Sequence, residues 1–203
     1  MMNKYIFYFL VALTLSSVPF TVMSANFDEQ LLEIQHEWAA ANYQTKGDAK
    51  KKALEELMEK TAAFVSANSG SAEALIWDGI VNSSYAGARG GAGALKYAKK
   101  ARKNFQAAIA INPNALHGSA HTSLGALYYK VPGFPIGFGS NKKAEKHLKK
   151  ALEINPNGID SNYFYGEFLI DRKRYNEAIV VLISSFQLPL NLRCNSTRML
   201  LPL

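Results

Sequence analysis

The chain has 203 residues, with 23 Lys plus Arg against 16 Asp plus Glu and a formal net charge of +7. That length suits one domain with a real core. A single cysteine, Cys194, excludes an internal disulfide. A basic chain could favour acidic partners or membrane surfaces, but its lysines follow helical spacing on faces that should be solvated, and no arginine–aromatic motif points to nucleic acid.

In chain order, residues 1–25 read as a secretory signal. Lys4 supplies a positive start, and the apolar run Tyr5 to Leu15 is too short to span a bilayer. Cleavage is expected after Ser24 or Ala25, the alternative being an uncleaved N-terminal anchor. No cysteine lies near either position, so a bacterial lipid anchor has no attachment point there.

Residues 26–188 read as a helical-repeat domain. Phe27 to Gln44 is the first expected helix, with Asp28 as its N-cap, and Asp48 is expected to cap a second over Ala49 to Ala67. Asn68-Ser69-Gly70 is the following turn. Ser71 can cap Ala72 to Tyr85, after which AGARGGAGAL is expected to form a glycine-rich loop. ARKNFQAAIAINPN (101–114) then aligns with AEKHLKKALEINPN (144–157): Ala101 matches Ala144, Phe105 matches Leu148, and Ala108 matches Ala151. Ala178, Leu182 and Ser185 continue the pattern. A period of about 34 residues with small and large apolar positions on the second helix, closed by proline, is the tetratricopeptide pattern. Asn155-Pro156-Asn157-Gly158 should end one such helix, with Gly158 free to turn left-handed. The last hairpin is Ile159 to Ile170, capped by Asp160 or Ser161, then Tyr175 to Phe186. Residues 189–203 show no clear period and form an atypical tail.

The fold expected is therefore all-α: a tetratricopeptide-like α-solenoid of about four helical hairpins, with long loops inside two of them. One hairpin cannot bury its own stripe, so neighbours must stack. The two surplus segments, AGARGGAGAL and VPGFPIGFGS, should share one edge. They would form either a binding lip or a plug of the solenoid edge.

Trp77-Asp78-Gly79, the Ala86–Leu95 glycine segment, PGFPIGFG (132–139) and NYFYGE (162–167) together resemble the T component (TatT-like) of tripartite ATP-independent periplasmic, or TRAP, transporters. The likeness covers roughly Leu31 to Leu188. It implies a periplasmic helical-repeat protein that associates with the transporter's solute-binding protein, in its best-known form a trimeric lipoprotein with a pore for a hydrophobic ligand. The missing lipobox cysteine departs from that form.

No catalytic, cofactor or metal site is expected. His117 and His121 fall i, i+4 on an expected helix, yet no third ligand accompanies them. GARGGAG lacks the strand that precedes a dinucleotide loop. The candidate binding residues are the aromatics Trp77, Tyr128, Phe134, Phe138, Tyr163 and Tyr165 for apolar contact, with Arg89, Asp78 and Glu167 to orient it. Asp78 and Glu167 could hold a cation, pair with Arg89, or satisfy loop amides in a purely structural role. The expected function is a non-enzymatic binding or scaffold protein working with a periplasmic solute-binding protein, alternatively a general interaction module of envelope assembly.

Overall fold

The computed structural model describes the backbone of residues 20–186 and the side chains of residues 26–183; the tail expected over 189–203 and most of the expected signal lie outside these. The chain divides into two compact units, Met1–Glu33 and Ile34–Leu203. In the first, the described residues are the start of α1 (Phe20–Ala39). This helix begins ahead of the expected cleavage positions, so Asp28 lies inside it and is not its N-cap. Among the described residues no helix is long and apolar enough to cross a membrane.

In the second unit, α1 ends in a π-helical turn (Ala40–Gln44) and is followed by α2 (Gly47–Ala67), α3 (Ala72–Arg89), α4 (Gly91–Ile111), α5 (Ser119–Lys130), α6 (Asn141–Ile154), α7 (Ile159–Asp171) and α8 (Tyr175–Phe186). Every described element is helical. The pairs α3/α4, α5/α6 and α7/α8 are hairpins, and α4 and α6 also pack on the first helix of the next hairpin. The first helices α3, α5 and α7 touch in succession. This is a tetratricopeptide-like α-solenoid.

The stripe read from the repeats is the core. Ala101, Phe105 and Ala108 of α4 and Ala144, Leu148 and Ala151 of α6 are wholly buried. Each large member faces a glycine on the first helix of its hairpin: Phe105 on Gly79, Leu148 on Gly125, and Leu182 on Gly166. Glutamate 145 of α6 accepts from Arg174 Nη1 at 2.8 Å and pairs with Lys149 at 3.0 Å, tying α6 to the start of α8.

Several local expectations change. The glycine segment after α3 is no loop. Alanine-rich stretches on both sides continue the helices, and only Gly90 and Gly91, both at φ +63°, reverse the chain. The surplus residues lengthen the arms: α3 and α4 have 18 and 21 residues against 13 and 12 in α7 and α8. At 1.5 Å per residue that makes the hairpin taller by roughly 7–14 Å. VPGFPIGFGS does form the expected loop, residues 131–140. Asp48 occupies the first turn of α2 and is not its cap; Ser71 does cap α3, its Oγ accepting from the Ala74 N–H at 3.1 Å. Neither Asp160 nor Ser161 caps α7, because the helix starts earlier and Ser161 Oγ instead donates to the Asn155 and Gly158 carbonyls. Gly158 is not left-handed (φ −68°); a Cβ there would lie 2.4 Å from Asn155 Nδ2 and 2.7 Å from Ser161 Oγ, so a larger residue would have to displace both side chains. His117 is not α-helical: Leu116, His117 and Gly118 have positive φ, so α5 starts only at Ser119.

Candidate docking face

Where the C-terminus of α5 meets α7, the sequence Tyr128-Tyr129-Lys130 brings two different groups to one carboxylate. Tyr129 OH donates to Glu167 Oε2 at 2.6 Å, and Lys130 Nζ donates to Glu167 Oε1 at 2.8 Å. Burial, reinforced by the Glu167 hydrogen bond, drives the Tyr129 hydroxyl pKa upward, so it stays a donor throughout the accessible range. On α7 the spacing i, i+4, i+7 sets Tyr163, Glu167 and Ile170 on one face, and Tyr163 and Ile170 are exposed. Beside the Tyr129–Lys130 end of this face is an open groove of about 350 Å³, lined by Tyr128, Tyr129, Lys130, Pro132, Ser140 and Arg172. Aromatic, aliphatic and charged groups are thus presented together on first helices of adjacent hairpins.

The other expected site residues fall elsewhere. Asp78 is buried and accepts from Thr61 Oγ1 (2.7 Å), Asn82 Nδ2 (2.9 Å) and Asn104 Nδ2 (2.5 Å), with Lys100 Nζ at 3.1 Å. Its cation is Lys100, not Arg89. The guanidinium of Arg89 donates to Tyr85 OH and lies 5.9 Å from the centre of the Tyr97 ring. Asp78 and Glu167 belong to separate clusters and share no ion. Trp77 is buried edge-on against Trp38, with ring centres 5.7 Å apart. Tyr165 is also buried and supports the surface from beneath, while Tyr128, largely buried, reaches the floor of the groove. Phe138 tucks against Tyr128 under the Arg102 guanidinium, whereas Phe134 stands in solvent. The 131–140 loop is therefore half plug and half projection.

The sequence reading set His121 beside His117 and missed its partner in the fold, His147; the Nδ1 atoms of His121 and His147 lie 3.0 Å apart between α5 and α6. His147 shares the buried stripe with Ala144, Leu148 and Ala151, which is the signal that places it there. At that distance one ring donates and the other accepts. Desolvation, then the His121 charge and Lys146 and Lys143, pushes the His147 pKa down to about 4; desolvation and Lys150 lower that of His121 against an opposing pull from Glu153. Both folded values lie below the unfolded one, so the folded state binds fewer protons. The stabilisation is complete above about pH 6.5 and is lost as pH falls towards 4. Between pH 7 and 5 the melting temperature should fall by about 5 °C, and His147→Gln should flatten that dependence. Thermal melts across pH check this. No cluster of three or more His, Cys, Asp or Glu side chains able to hold a metal occurs among the described residues.

The fold defines the class, an all-α tetratricopeptide-like repeat protein. No family model and no curated protein matches the chain. Among solved structures it is similar to the crystal structure of MamA, at 18% identity and a TM-score of 0.48, over 81% of this chain and 90% of that chain. A likeness at that level carries no argument about function.

Proposed function

We propose that this chain is a non-catalytic binding protein that docks a protein partner across the α5–α7 face. The observation that carries the proposal is the part-exposed Tyr129–Glu167–Lys130 arrangement set between exposed Tyr163 and Ile170. Aromatic anchors beside a fixed charge form the usual centre of a protein interface. The adjoining groove is open, a form suited to a peptide or protein edge more than to an enclosed small substrate.

The finer reading is that the protein is exported and that its partner is the solute-binding protein of a TRAP-type transporter. The sequence motifs around Trp77 and the 131–140 loop support it. The second reading, a general interaction module of the envelope with no transported ligand, draws on the burial of Trp77 and Tyr165, which removes two aromatics from any ligand-lining surface.

Titration calorimetry with the solute-binding protein encoded nearest this chain's gene tests both. Tyr163→Ala and Glu167→Gln should each weaken binding by tenfold or more, with Tyr163→Ala leaving the melting temperature within about 2 °C because its ring is 54% exposed. Binding unaffected by either substitution would remove the α5–α7 face. No binding to the solute-binding protein, with capture of another envelope protein that both substitutions abolish, would favour the general module.

A further inference from the structure

The most exposed large apolar side chains described are Phe134, at 93%, and Ile136, at 72%. Their loop is not loose. Gly139 N donates to Pro132 O at 2.9 Å, Gly137 N to Gly133 O at 3.0 Å, and Ser140 N to Tyr128 O at 2.8 Å. The strands of the loop pass so closely that a Cβ on Gly139 would lie 1.9 Å from Val131 O. Phe138 anchors the base, with the Arg102 guanidinium 4.2 Å above its ring. A braced loop thus holds one phenyl ring and one isoleucine away from the core, where water solvates them poorly.

The surroundings are cationic. Helix α6 starts directly after the loop with Lys142, Lys143 and Lys146, and α4, which supplies Arg102, also carries Lys99 and Lys103 and has no acidic residue between Gly91 and Ile111. Glu145, the acid nearest the loop along α6, is held by Arg174 and Lys149. Lys130 and Arg172 are matched by Glu167 and Asp171 and add little.

We propose that this tip is a membrane-surface probe: Phe134, Pro135 and Ile136 enter the headgroup–acyl boundary of an anionic bilayer while the lysines of α6 and α4 bind lipid phosphates. A small apolar anchor alone gives only marginal attachment, and a basic patch beside it supplies the second signal. Two projecting side chains are too few to form the core of a stable protein interface, which buries about 800 Å² per partner. A lipid boundary needs no complementary pocket.

The full chain carrying Phe134→Trp is mixed with vesicles of phosphatidylglycerol and phosphatidylethanolamine, with and without brominated acyl chains. After subtraction of the parent's two tryptophans, the indole at position 134 should shift to the blue and be quenched by the brominated lipid. Neutral phosphatidylcholine vesicles should give neither effect. Phe134→Ser/Ile136→Ser and Lys142→Glu/Lys146→Glu should each reduce co-sedimentation with the anionic vesicles at least tenfold, and raised salt should do the same. These side chains are exposed, so circular dichroism should show both variants folded as the parent. Absence of quenching at position 134, or unchanged sedimentation of the serine variant, overturns the proposal. So does a blue shift that follows protein concentration without lipid, which would assign the tip to a second copy of the chain.

Discussion

Replacing Asp78 with Leu should lower stability by about 3–5 kcal/mol, the range seen when one partner of a buried charged cluster is removed. Asp78 is only 3% exposed, and its two oxygens collect donors from three helices: Thr61 on α2, Asn82 on its own helix α3, and Lys100 and Asn104 on α4. Leucine fills the space but leaves the Asn104 amide without its acceptor, the Thr61 hydroxyl with only the Met58 carbonyl at 3.2 Å, and Asn82 Nδ2 with only the Asp78 backbone carbonyl. For a chain of this size the melting temperature should fall by roughly 10 °C or more. Lys100→Met should cost much less, because the Lys100 side chain is 45% exposed and its charge is partly screened by solvent. Asp78→Asn should fall between the two, since it keeps one carbonyl oxygen but turns an amide towards the Asn104 donor. Urea unfolding of the three variants ranks them. An Asp78→Leu protein as stable as the parent would return Asp78 to the list of binding residues.

The network also shows where sequence pattern stops being informative. The stripe Ala101, Phe105, Ala108 and its copy in α6 were legible because a second helix buries one face, and one face has one period. The first helices α3, α5 and α7 bury more, because besides the second helices on either side they touch one another in succession. Aromatics in excess of a single stripe therefore look available for binding although they are buried, as Trp77, Tyr128 and Tyr165 are. Tyr163 is exposed and Glu167 lies at the edge of the α5 contact, within reach of Tyr129 and Lys130, and no feature of NYFYGE taken alone separates them from Tyr165. The glycine segment was misread for a different reason. Glycine count suggested a loop, but alanine neighbours keep the helices going, and only adjacent glycines with positive φ break them. In the 131–140 loop, by contrast, Pro132 and Pro135 remove the helical option outright.

Gly79→Ala and Gly87→Ala should move stability in opposite directions although both lie in α3 and both make the same chemical change. A Cβ on Gly87 would meet nothing within 4 Å, so alanine there should stabilise the helix by about 0.5–1 kcal/mol. A Cβ on Gly79 would lie 2.4 Å from Phe105 Cε1 and 2.8 Å from Cδ1 and Cζ. Phe105 is wholly buried, with Ala101 and Ala108 on the same stripe, so its ring cannot swing out. Overpacking of this kind costs about 1–3 kcal/mol, and the closeness of the ring sets the expectation at about 3. Gly166→Ala should be milder, because the Cβ there meets Cδ2 of half-buried Leu182 at 2.6 Å and that side chain can shift, whereas on Gly125 it meets Cγ of wholly buried Leu148 at 2.6 Å and the Ala144 carbonyl at 3.2 Å. Phe105→Leu alone should destabilise by loss of contact, yet in the Gly79→Ala background it should recover part of the loss, a coupling of about 1–2 kcal/mol. Chemical unfolding of the double-mutant cycle reads that coupling directly. Additive losses would mean that the helix α3 backbone has moved away from α4 and that the glycine–phenylalanine contact does not set the spacing of the hairpin.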